Sequence, residues 1–201
     1  MRLPETFYLR SNVVKIATEL IGKLLVTEFD GIRTSGIIVE TEAYAGTTDK
    51  ASHAYGGRRT SRTEVMYMPG GTAYVYLCYG IHHLFNVVTN VQGIPHAILV
   101  RGIEPLDGID TMLARRGKEK LLPALTAGPG ALSEALGIKT THTGINLLDN
   151  KIYIEDTGIK ITRSSIIAST RVGVAYAGAD ALLPYRFHLK DNKFVSKGKG
   201  L

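Results

Sequence analysis

Three apolar stretches separated by short turns constrain the fold of this chain more than any other feature. The first, residues 73–78, is rich in aromatic and β-branched side chains, which favour a strand. Tyr79-Gly80 interrupts this run, and residues 83–90 are predicted to return as a second strand. The third run, residues 97–103, carries a single charge at Arg101. Strands that follow one another through such short turns are predicted to pair antiparallel.

An earlier hairpin and several helices complete the predicted architecture. Asp30-Gly31 is a turn signal between two predicted strands, residues 23–29 and 37–42. Ser11 is predicted to cap a helix in which apolar residues recur at helical spacing. The other predicted elements are helices at 106–116 and 131–136 and strands at 151–155 and 172–175. Hairpins flanked by helices predict an α+β fold with a mainly antiparallel sheet.

Length and composition predict one domain over residues 1–201, with no linker long enough to divide it. Apolar residues make up 44% of the chain and charged residues 21%, which is typical of a globular protein. The formal net charge of +6 suits a polyanionic partner. From about residue 190 the sequence is rich in lysine and glycine, and it is predicted to form a flexible basic tail.

The cysteine and histidine content argues against disulfides and metal binding. The single cysteine, Cys78, excludes an internal disulfide and a cysteine-rich zinc site, and the six histidines form no convincing ligand set around it. The N-terminal segment lacks the apolar stretch of a signal peptide. We therefore expect a protein of a reducing, cytoplasmic compartment, associated with the nucleoid if the source is bacterial.

Residues 38–62 concentrate the side chains that are suited to chemistry. Alternation along a strand places Glu40, Glu42 and Tyr44 on one face, and His53 follows on a loop. A stretch of small residues then adds three cations, Arg58, Arg59 and Arg62. Such a loop is usually only solvated, but the basic balance of the chain favours contacts with phosphates. Periodicity alone does not choose between the two glutamates as a catalytic base.

Arg101 and Asn86 are unusual within their predicted strands. A charge in an apolar run needs a partner, so Arg101 forms either a structural ion pair with Glu40 or Glu104, or a contact with a phosphate or a catalytic carboxylate. Asparagine is disfavoured in strands, and Asn86 either binds the backbone or lines a pocket.

Tyrosines cluster around the turn at Gly80. Tyr74 is interpreted as a core residue, and Tyr76 projects to the same face. Tyr79 lies where the glycine permits a sharp turn. An aromatic side chain at an exposed tip is costly unless it contacts something, and insertion between stacked bases is one such use.

Taken together, these segments identify a resemblance to the alkyladenine DNA glycosylase family of 3-methyladenine DNA glycosylases. The matching segments are VETEAYAGTTDKASHAYGGRRTSR, VMYMPGGTAYVYLCYGIHHLFNVVT, ILVRGIEPLDG, GPGALSEALGI, RVGVAYAG and PYRF. They occur in the order of the family and span residues 20–187, which makes the match specific. The resemblance implies a curved sheet with a protruding β-hairpin that enters the DNA minor groove.

The resemblance also implies roles for residues of the catalytic centre and the base pocket. Glu42, the second glutamate of ETEAY, would activate the attacking water, with Arg101 beside it. Tyr44, His53 and Tyr76 would surround the extruded base. Two further pocket residues are implied, Asn86, which would reject guanine by crowding its 2-amino group, and Leu99.

For the DNA surface, the resemblance implies an intercalating tip and a phosphate-binding loop. Tyr79 would fill the space that the flipped nucleotide leaves, and Ile81 stands beside it where some relatives carry methionine. The backbone contacts are assigned to Arg58, Arg59 and Arg62.

The implied reaction is hydrolysis of the N-glycosidic bond of a damaged purine in double-stranded DNA. Its expected substrates are 3-methyladenine, 7-methylguanine, hypoxanthine and ethenoadenine. Water as nucleophile implies a monofunctional enzyme that leaves an abasic site and needs no metal or organic cofactor. We expect a monomer with no membrane partner. Two alternatives stay open, a damaged-DNA-binding module without catalysis and a hydrolase of free nucleosides, although the arginine-rich loop and Tyr79 argue against the second.

Overall fold

One antiparallel sheet organises the molecule in the computed structural model, which describes residues 1–198 and residue 200. Its strands are β1 (Leu24–Phe29), β2 (Ile32–Tyr44), β3 (Ala73–Cys78), β4 (His82–Thr89), β5 (His96–Pro105), β6 (Ile152–Glu155), β7 (Ile166–Ser169) and β8 (Arg186–Leu189). The order is β3-β4-β5-β2-β1-β6, while β8 pairs with both β2 and β7. The sheet curls around an apolar core, which confirms the α+β prediction.

The β1–β2 hairpin is confirmed, and its second strand is longer than predicted. Asp30 and Gly31 have φ angles of +54° and +76°, as the tight turn between two twisted strands requires. Strand β2 continues through Tyr44. One edge of it pairs first with β1 and then with β8, and the other edge pairs with β5 from Gly36 to Tyr44. A register irregularity near Glu40 interrupts the pairing with β5. This strand therefore carries the glutamate segment from the hairpin into the centre of the sheet.

The three predicted apolar runs form the meander β3–β4–β5. Their register places Tyr74 opposite Asn86, Asn86 opposite Leu99, and Leu99 opposite Glu42. Residues that lie opposite each other on neighbouring strands are on the same face of a sheet. The pairing thus aligns these four side chains in one row across the sheet.

Four short helices pack beside the sheet. They are α1 (Glu5–Tyr8), α2 (Val13–Leu20), α3 (Ile109–Arg116) and α4 (Pro129–Leu136). The predicted cap of α2 was wrong by one residue, because the side chain of Asn12, and not Ser11, accepts the Lys15 amide. Helix α4 begins at Pro129, earlier than predicted, since proline suits the first helical turn. No helix in the described residues is long and apolar enough to span a membrane.

The predicted strand at residues 172–175 was also wrong. Gly173 has a φ angle of +75°, which breaks an extended run, and a 3-10 helix follows at Ala175–Leu182. Strands β7 and β8 were not predicted, because each has only four residues and no clear alternation. Strand β8 matters for the site, since Arg186 pairs with Glu42 across the sheet.

The C-terminal segment differs from the predicted flexible tail. Ser196 is buried, and its backbone amide donates to Glu40 Oε2 at 2.7 Å. A buried carboxylate that accepts this hydrogen bond holds the segment against the sheet. The prediction for residues 199 and 201 lies outside the described residues.

Candidate active site

A cavity of about 630 Å³ opens where the β3–β4 hairpin, the loop after β2 and the N-terminal end of α4 meet. Its lining includes eight of the residues singled out from the sequence, namely Tyr44, His53, Arg62, Tyr76, Tyr79, Asn86, Leu99 and Arg101. Its size is within the range of pockets that enclose a small molecule. The structure therefore brings together side chains that are spread over about sixty residues of sequence.

Glu42 is fully buried immediately behind the wall of this cavity. Its Oε1 accepts the backbone amide of Val172 at 2.8 Å and lies 3.4 Å from Arg101 Nη1. Its Oε2 accepts the Tyr44 hydroxyl at 2.8 Å. All three of these partners line the cavity. The carboxylate is thus held by two hydrogen-bond donors and one cation at the inner end of the pocket.

Glu40 is equally buried but is bound in a different way. Its Oε1 accepts Arg101 Nε at 3.0 Å and Arg186 Nε at 2.7 Å. Ser196 donates its amide to Oε2 and its hydroxyl to Oε1. Of these partners only Arg101 lines the cavity. Arg101 therefore forms an ion pair with both glutamates, but only for Glu42 do all the partners line the cavity.

Arg101 connects the two carboxylates. Burial alone would lower the pKa of its guanidinium, but the charges of Glu42 and Glu40 raise that pKa above its usual value. The side chain therefore stays cationic between two buried anions. We call Glu40, Glu42 and Arg101 the floor of the cavity.

Aromatic rings form one wall of the cavity. The rings of His53 and Tyr76 meet edge to face with centres 4.7 Å apart, and those of Tyr74 and Tyr76 are tilted at 5.4 Å. His53 Nδ1 lies 2.8 Å from the Tyr74 hydroxyl. Burial, reinforced by Arg62 and Arg58, lowers the pKa of His53 to about 4, so its imidazole is neutral at pH 7.

The tyrosines of the cavity are also neutral. Burial raises the pKa of Tyr74 to about 12. Burial and then the Glu42 carboxylate raise the pKa of Tyr44 well above its ordinary value. The Tyr44 hydroxyl therefore keeps its proton and remains a donor to Glu42.

Asn86 and Leu99 complete the pocket from strands β4 and β5. Both are almost fully buried and lie opposite each other. The Asn86 amide nitrogen donates to the carbonyls of Tyr74 and Leu84 at 3.1 and 3.2 Å. Asn86 thus binds the backbone and also lines the pocket, two possibilities that the sequence left as alternatives.

The tip of the β3–β4 hairpin projects from the cavity mouth. Tyr79 is 90% exposed and Ile81 is 70% exposed, which is unusual for large apolar side chains at neighbouring positions. Tyr79 and Gly80 both have positive φ angles, of +52° and +73°. The turn thus holds an aromatic side chain outward in a conformation that few non-glycine residues adopt.

The three loop arginines are exposed but not equivalent. Arg59 forms a two-pronged ion pair with Glu64 at 2.7 Å and lies over the Tyr67 ring. The guanidinium carbon of Arg62 lies 5.7 Å from the centre of the Tyr76 ring, at the cavity. We call Tyr79, Ile81, Arg58 and Arg62 the rim of the cavity.

Sequence reasoning missed a buried ion pair behind Tyr44. Arg171 is fully buried and binds Asp49 through both terminal nitrogens, at 2.5 and 2.9 Å. Its guanidinium carbon lies 4.8 Å from the centre of the Tyr44 ring. The pair fixes the loop that leads to Val172, the amide donor of Glu42. The only available signal was the arginine of RVGVAYAG, for which periodicity suggests no partner.

Comparison with known proteins agrees with this geometry. A family model described as methylpurine-DNA glycosylase matches residues 6–193. A protein of Clostridium perfringens strain 13 named "Putative 3-methyladenine DNA glycosylase" is 44% identical, with 98% of this chain and all of the relative covered. Proteins of the same name from Bacillus cereus G9842 and Clostridium acetobutylicum are each 45% identical over 98% of this chain and 100% and 98% of theirs.

Proposed function

The chain belongs to the methylpurine-DNA glycosylase family, and we propose that it is a monofunctional enzyme that releases damaged purines from duplex DNA. Membership supports 3-methyladenine DNA glycosylase activity, and hence a hydrolase of DNA repair. The observation that carries the finer proposal is the Glu42 carboxylate, buried at the inner end of an aromatic cavity and held by two hydrogen-bond donors and the Arg101 cation.

In the proposed reaction, Glu42 acts as a general base on a water molecule. The water oxygen forms a bond to C1′ of the deoxyribose, and its proton passes to the carboxylate. The N-glycosidic bond breaks, and its electron pair leaves with the base. The negative charge of Glu42 also stabilises the oxocarbenium-like sugar. The nucleophile is activated by a carboxylate, so this mechanism requires neither a metal nor an organic cofactor.

The wall of the cavity suits an alkylated, cationic purine. Tyrosine faces attract a cation by roughly 0.5–2 kcal/mol per contact, and Tyr44 and Tyr76 offer two such rings. A neutral His53 adds no repulsive charge. The positive charge of 3-methyladenine or 7-methylguanine also makes each a good leaving group. Hypoxanthine and ethenoadenine are neutral, so their release needs a proton and is expected to depend more strongly on pH.

Asn86 is proposed to exclude undamaged guanine. Its amide nitrogen is fixed by two backbone carbonyls and does not move aside easily. A 2-amino group would meet this side chain, whereas adenine-like bases have a hydrogen there. Guanine and 7-methylguanine are therefore both disfavoured in the pocket, and only the cationic 7-methylguanine leaves readily enough to be released. Leu99, opposite Asn86 in the sheet, fills the adjacent space.

The rim is proposed to bind the DNA from which the base is extruded. The target atom is hidden in the duplex, so the nucleotide must be flipped out at a cost of a few kcal/mol. Tyr79, with Ile81 beside it, would enter the minor groove and fill the gap in the stack. Arg58 and Arg62 would bind phosphates, with Arg59 contributing only after it leaves Glu64.

Base release from defined oligonucleotides tests the proposal. Duplexes with one hypoxanthine or one ethenoadenine are incubated with the wild type or with Glu42→Gln and then treated with alkali. We expect strand breaks only after alkali and only with the wild type. Breaks without alkali would indicate lyase chemistry and contradict the monofunctional assignment. Tight lesion binding without release by either protein would favour the non-catalytic binding module.

A further inference from the structure

The chain returns to the floor of the cavity at its C-terminal end. We call residues 194–198 the C-terminal strap. The Phe194 carbonyl lies so close to Gly102 that a β-carbon at this glycine would be 2.6 Å from it. Two residues later, Ser196 reaches Glu40 with both its amide and its hydroxyl. The strap thus lies directly on the strand that carries Arg101.

Ser196 completes the set of donors around the buried Glu40 carboxylate. Two of the four hydrogen bonds to Glu40 come from Ser196, and the other two come from Arg101 and Arg186. Arg186 also donates to the Ser196 carbonyl at 3.3 Å. A buried carboxylate that loses donors is left partly unsatisfied, which costs free energy unless its remaining partners take up the free lone pairs. Glu40 without Ser196 would therefore compete more strongly for Arg101.

The guanidinium of Arg101 is divided among three acceptors. Its Nε donates to Glu40, its Nη2 donates to Ser196 Oγ at 3.3 Å, and its Nη1 lies 3.4 Å from Glu42. The planar group has a fixed geometry, so rotation towards Glu40 necessarily moves Nη1. The distance between Arg101 and Glu42 therefore depends on what holds the other two nitrogens.

Gly198 places the strap beside Val172, whose backbone amide donates to Glu42. A β-carbon at Gly198 would lie 2.9 Å from Val172 Cγ1 and 3.2 Å from Arg101 Nη2. Val172 supplies the amide that Glu42 accepts at 2.8 Å. The strap thus passes close beside both the cation and the backbone segment that orient Glu42.

We propose that the C-terminal strap positions the catalytic base, with Ser196 as its principal positioning residue. This inference rests on the proposed function of Glu42. Ser196 satisfies Glu40, so Arg101 keeps one nitrogen for Glu42, and Gly198 holds Val172 in place. When Ser196 is lost, Arg101 turns towards Glu40 and Glu42 loses part of its cationic support. The carboxylate then loses its fixed orientation towards the attacking water, and base release slows.

Full-length variants at Ser196 separate positioning from simple stabilisation. Ser196→Ala removes the hydroxyl, Ser196→Thr keeps a hydroxyl, and Ser196→Pro removes the amide donor to Glu40. Lys193→Ala, an exposed position in the same segment, is the matched control. Single-turnover base release is measured across pH, together with affinity for lesion DNA and thermal unfolding. The buried Arg101 Nε–H group is followed by NMR as a readout that needs no activity.

We expect Ser196→Ala and Ser196→Pro to slow base release by on the order of 10- to 100-fold, as small misplacements of catalytic groups do. The shape of the pH profile should change along with the rate, and DNA affinity should stay unchanged. Ser196→Thr and Lys193→Ala should resemble the wild type. The Arg101 Nε–H signal should shift in Ser196→Pro and exchange faster with solvent.

The proposal is overturned if the alanine and proline variants keep the wild-type rate and pH profile. It is equally overturned if their rate falls only in proportion to the fraction unfolded, with no change in the profile. If the wild type released no base, that result would contradict the proposed function and not the proposed role of the strap. In that case the NMR signal decides, because an Arg101 Nε–H group unaffected by Ser196→Pro would show that the strap does not position Arg101.

Discussion

In the floor of the cavity, Glu40, Glu42 and Arg101 are buried, and Arg101 forms a hydrogen bond with Glu40 and an ion pair with Glu42, whereas Tyr79 and Ile81 on the rim are 90% and 70% exposed. The floor is organised before any ligand arrives. The rim instead presents apolar and cationic side chains that gain contacts only when a partner binds. We infer that the floor serves the chemistry, which requires fixed geometry, and that the rim serves recognition of an extended polyanion.

The floor and the rim should differ in how much the removal of one side chain destabilises the fold. Buried charges contribute little net stability when paired, but they are strongly destabilising when one partner is removed. An exposed tyrosine or arginine can be removed with little effect on folding. Substitutions in the floor should therefore change stability, whereas substitutions in the rim should change DNA binding and the rate of base release.

Substitution of Arg171, which supports the floor from behind Tyr44, is expected to have the largest effect. Arg171→Leu leaves Asp49 buried without its cation, and we expect the free energy of unfolding to fall by about 3–5 kcal/mol. Urea denaturation monitored by circular dichroism measures this loss. Arg163→Leu, at an exposed site, is the control and should change stability by less than about 0.5 kcal/mol. Equal stability of the two variants would contradict the structural role of the pair.

Removal of the rim tyrosine should reduce activity and leave folding intact. Tyr79→Ala loses a stacking contact worth roughly 1–3 kcal/mol, which corresponds to about a 5- to 150-fold slower release of a lesion base. Tyr79→Phe keeps the ring and should retain most of the rate. Single-turnover kinetics on a hypoxanthine duplex tests both variants. If Tyr79→Ala were as fast as the wild type, the tip would have no part in base flipping.

His53, in the wall of the cavity, is expected to make the free energy of unfolding depend on pH. Its pKa is about 4 in the folded protein and about 6.5 when unfolded, so between these values the unfolded state binds more protons. The free energy of unfolding should therefore fall as pH is lowered, by roughly 2 kcal/mol between pH 7 and pH 5. Urea denaturation of His53→Gln should lack this part of the dependence. Identical pH dependence in both proteins would mean that His53 is protonated near its ordinary pKa.

The smallest effects are expected at the arginines. Arg58→Ala and Arg62→Ala should each reduce the slope of log affinity against log salt by about 1, as the loss of one phosphate contact does. Arg59→Ala should change the slope less, because Glu64 already binds this side chain. Fluorescence anisotropy with duplex DNA at several salt concentrations measures all three. Equal effects would show that DNA displaces Glu64 from Arg59.

Local patterns predicted the elements that carry the cavity. The strands β3, β4 and β5 have β-branched and aromatic runs, and the β1–β2 turn has the residues that its backbone demands. Pairing of the consecutive strands β4 and β5 places Asn86 opposite Leu99. The pairing of β5 with β2, which brings Leu99 opposite Glu42, joins strands that are not consecutive and was not predicted. The resemblance to a known family selected Glu42, and the contacts of Glu40 and Glu42 with different partners agree with that choice.

The supports of the site escaped sequence reasoning because their partners are distant along the chain. Arg171 binds Asp49 across 122 positions, and Ser196 binds Glu40 across 156 positions. Periodicity and turn chemistry describe only neighbours, so they contain no signal for such pairs. The same limit explains the error at residues 172–175, where an apolar pattern typical of a strand is overridden by Gly173 and by packing against the β2 loop.

The most direct test compares rate and affinity in Glu42→Gln. Glutamine has nearly the same shape as glutamate but accepts a proton from water far less readily, so it removes the base and keeps the cavity. We predict that single-turnover base release falls by on the order of 1,000-fold or more, while lesion DNA still binds within a few-fold of the wild type. Loss of affinity in parallel with rate, or release at the wild-type rate, would contradict the assignment of chemistry to the floor and recognition to the rim.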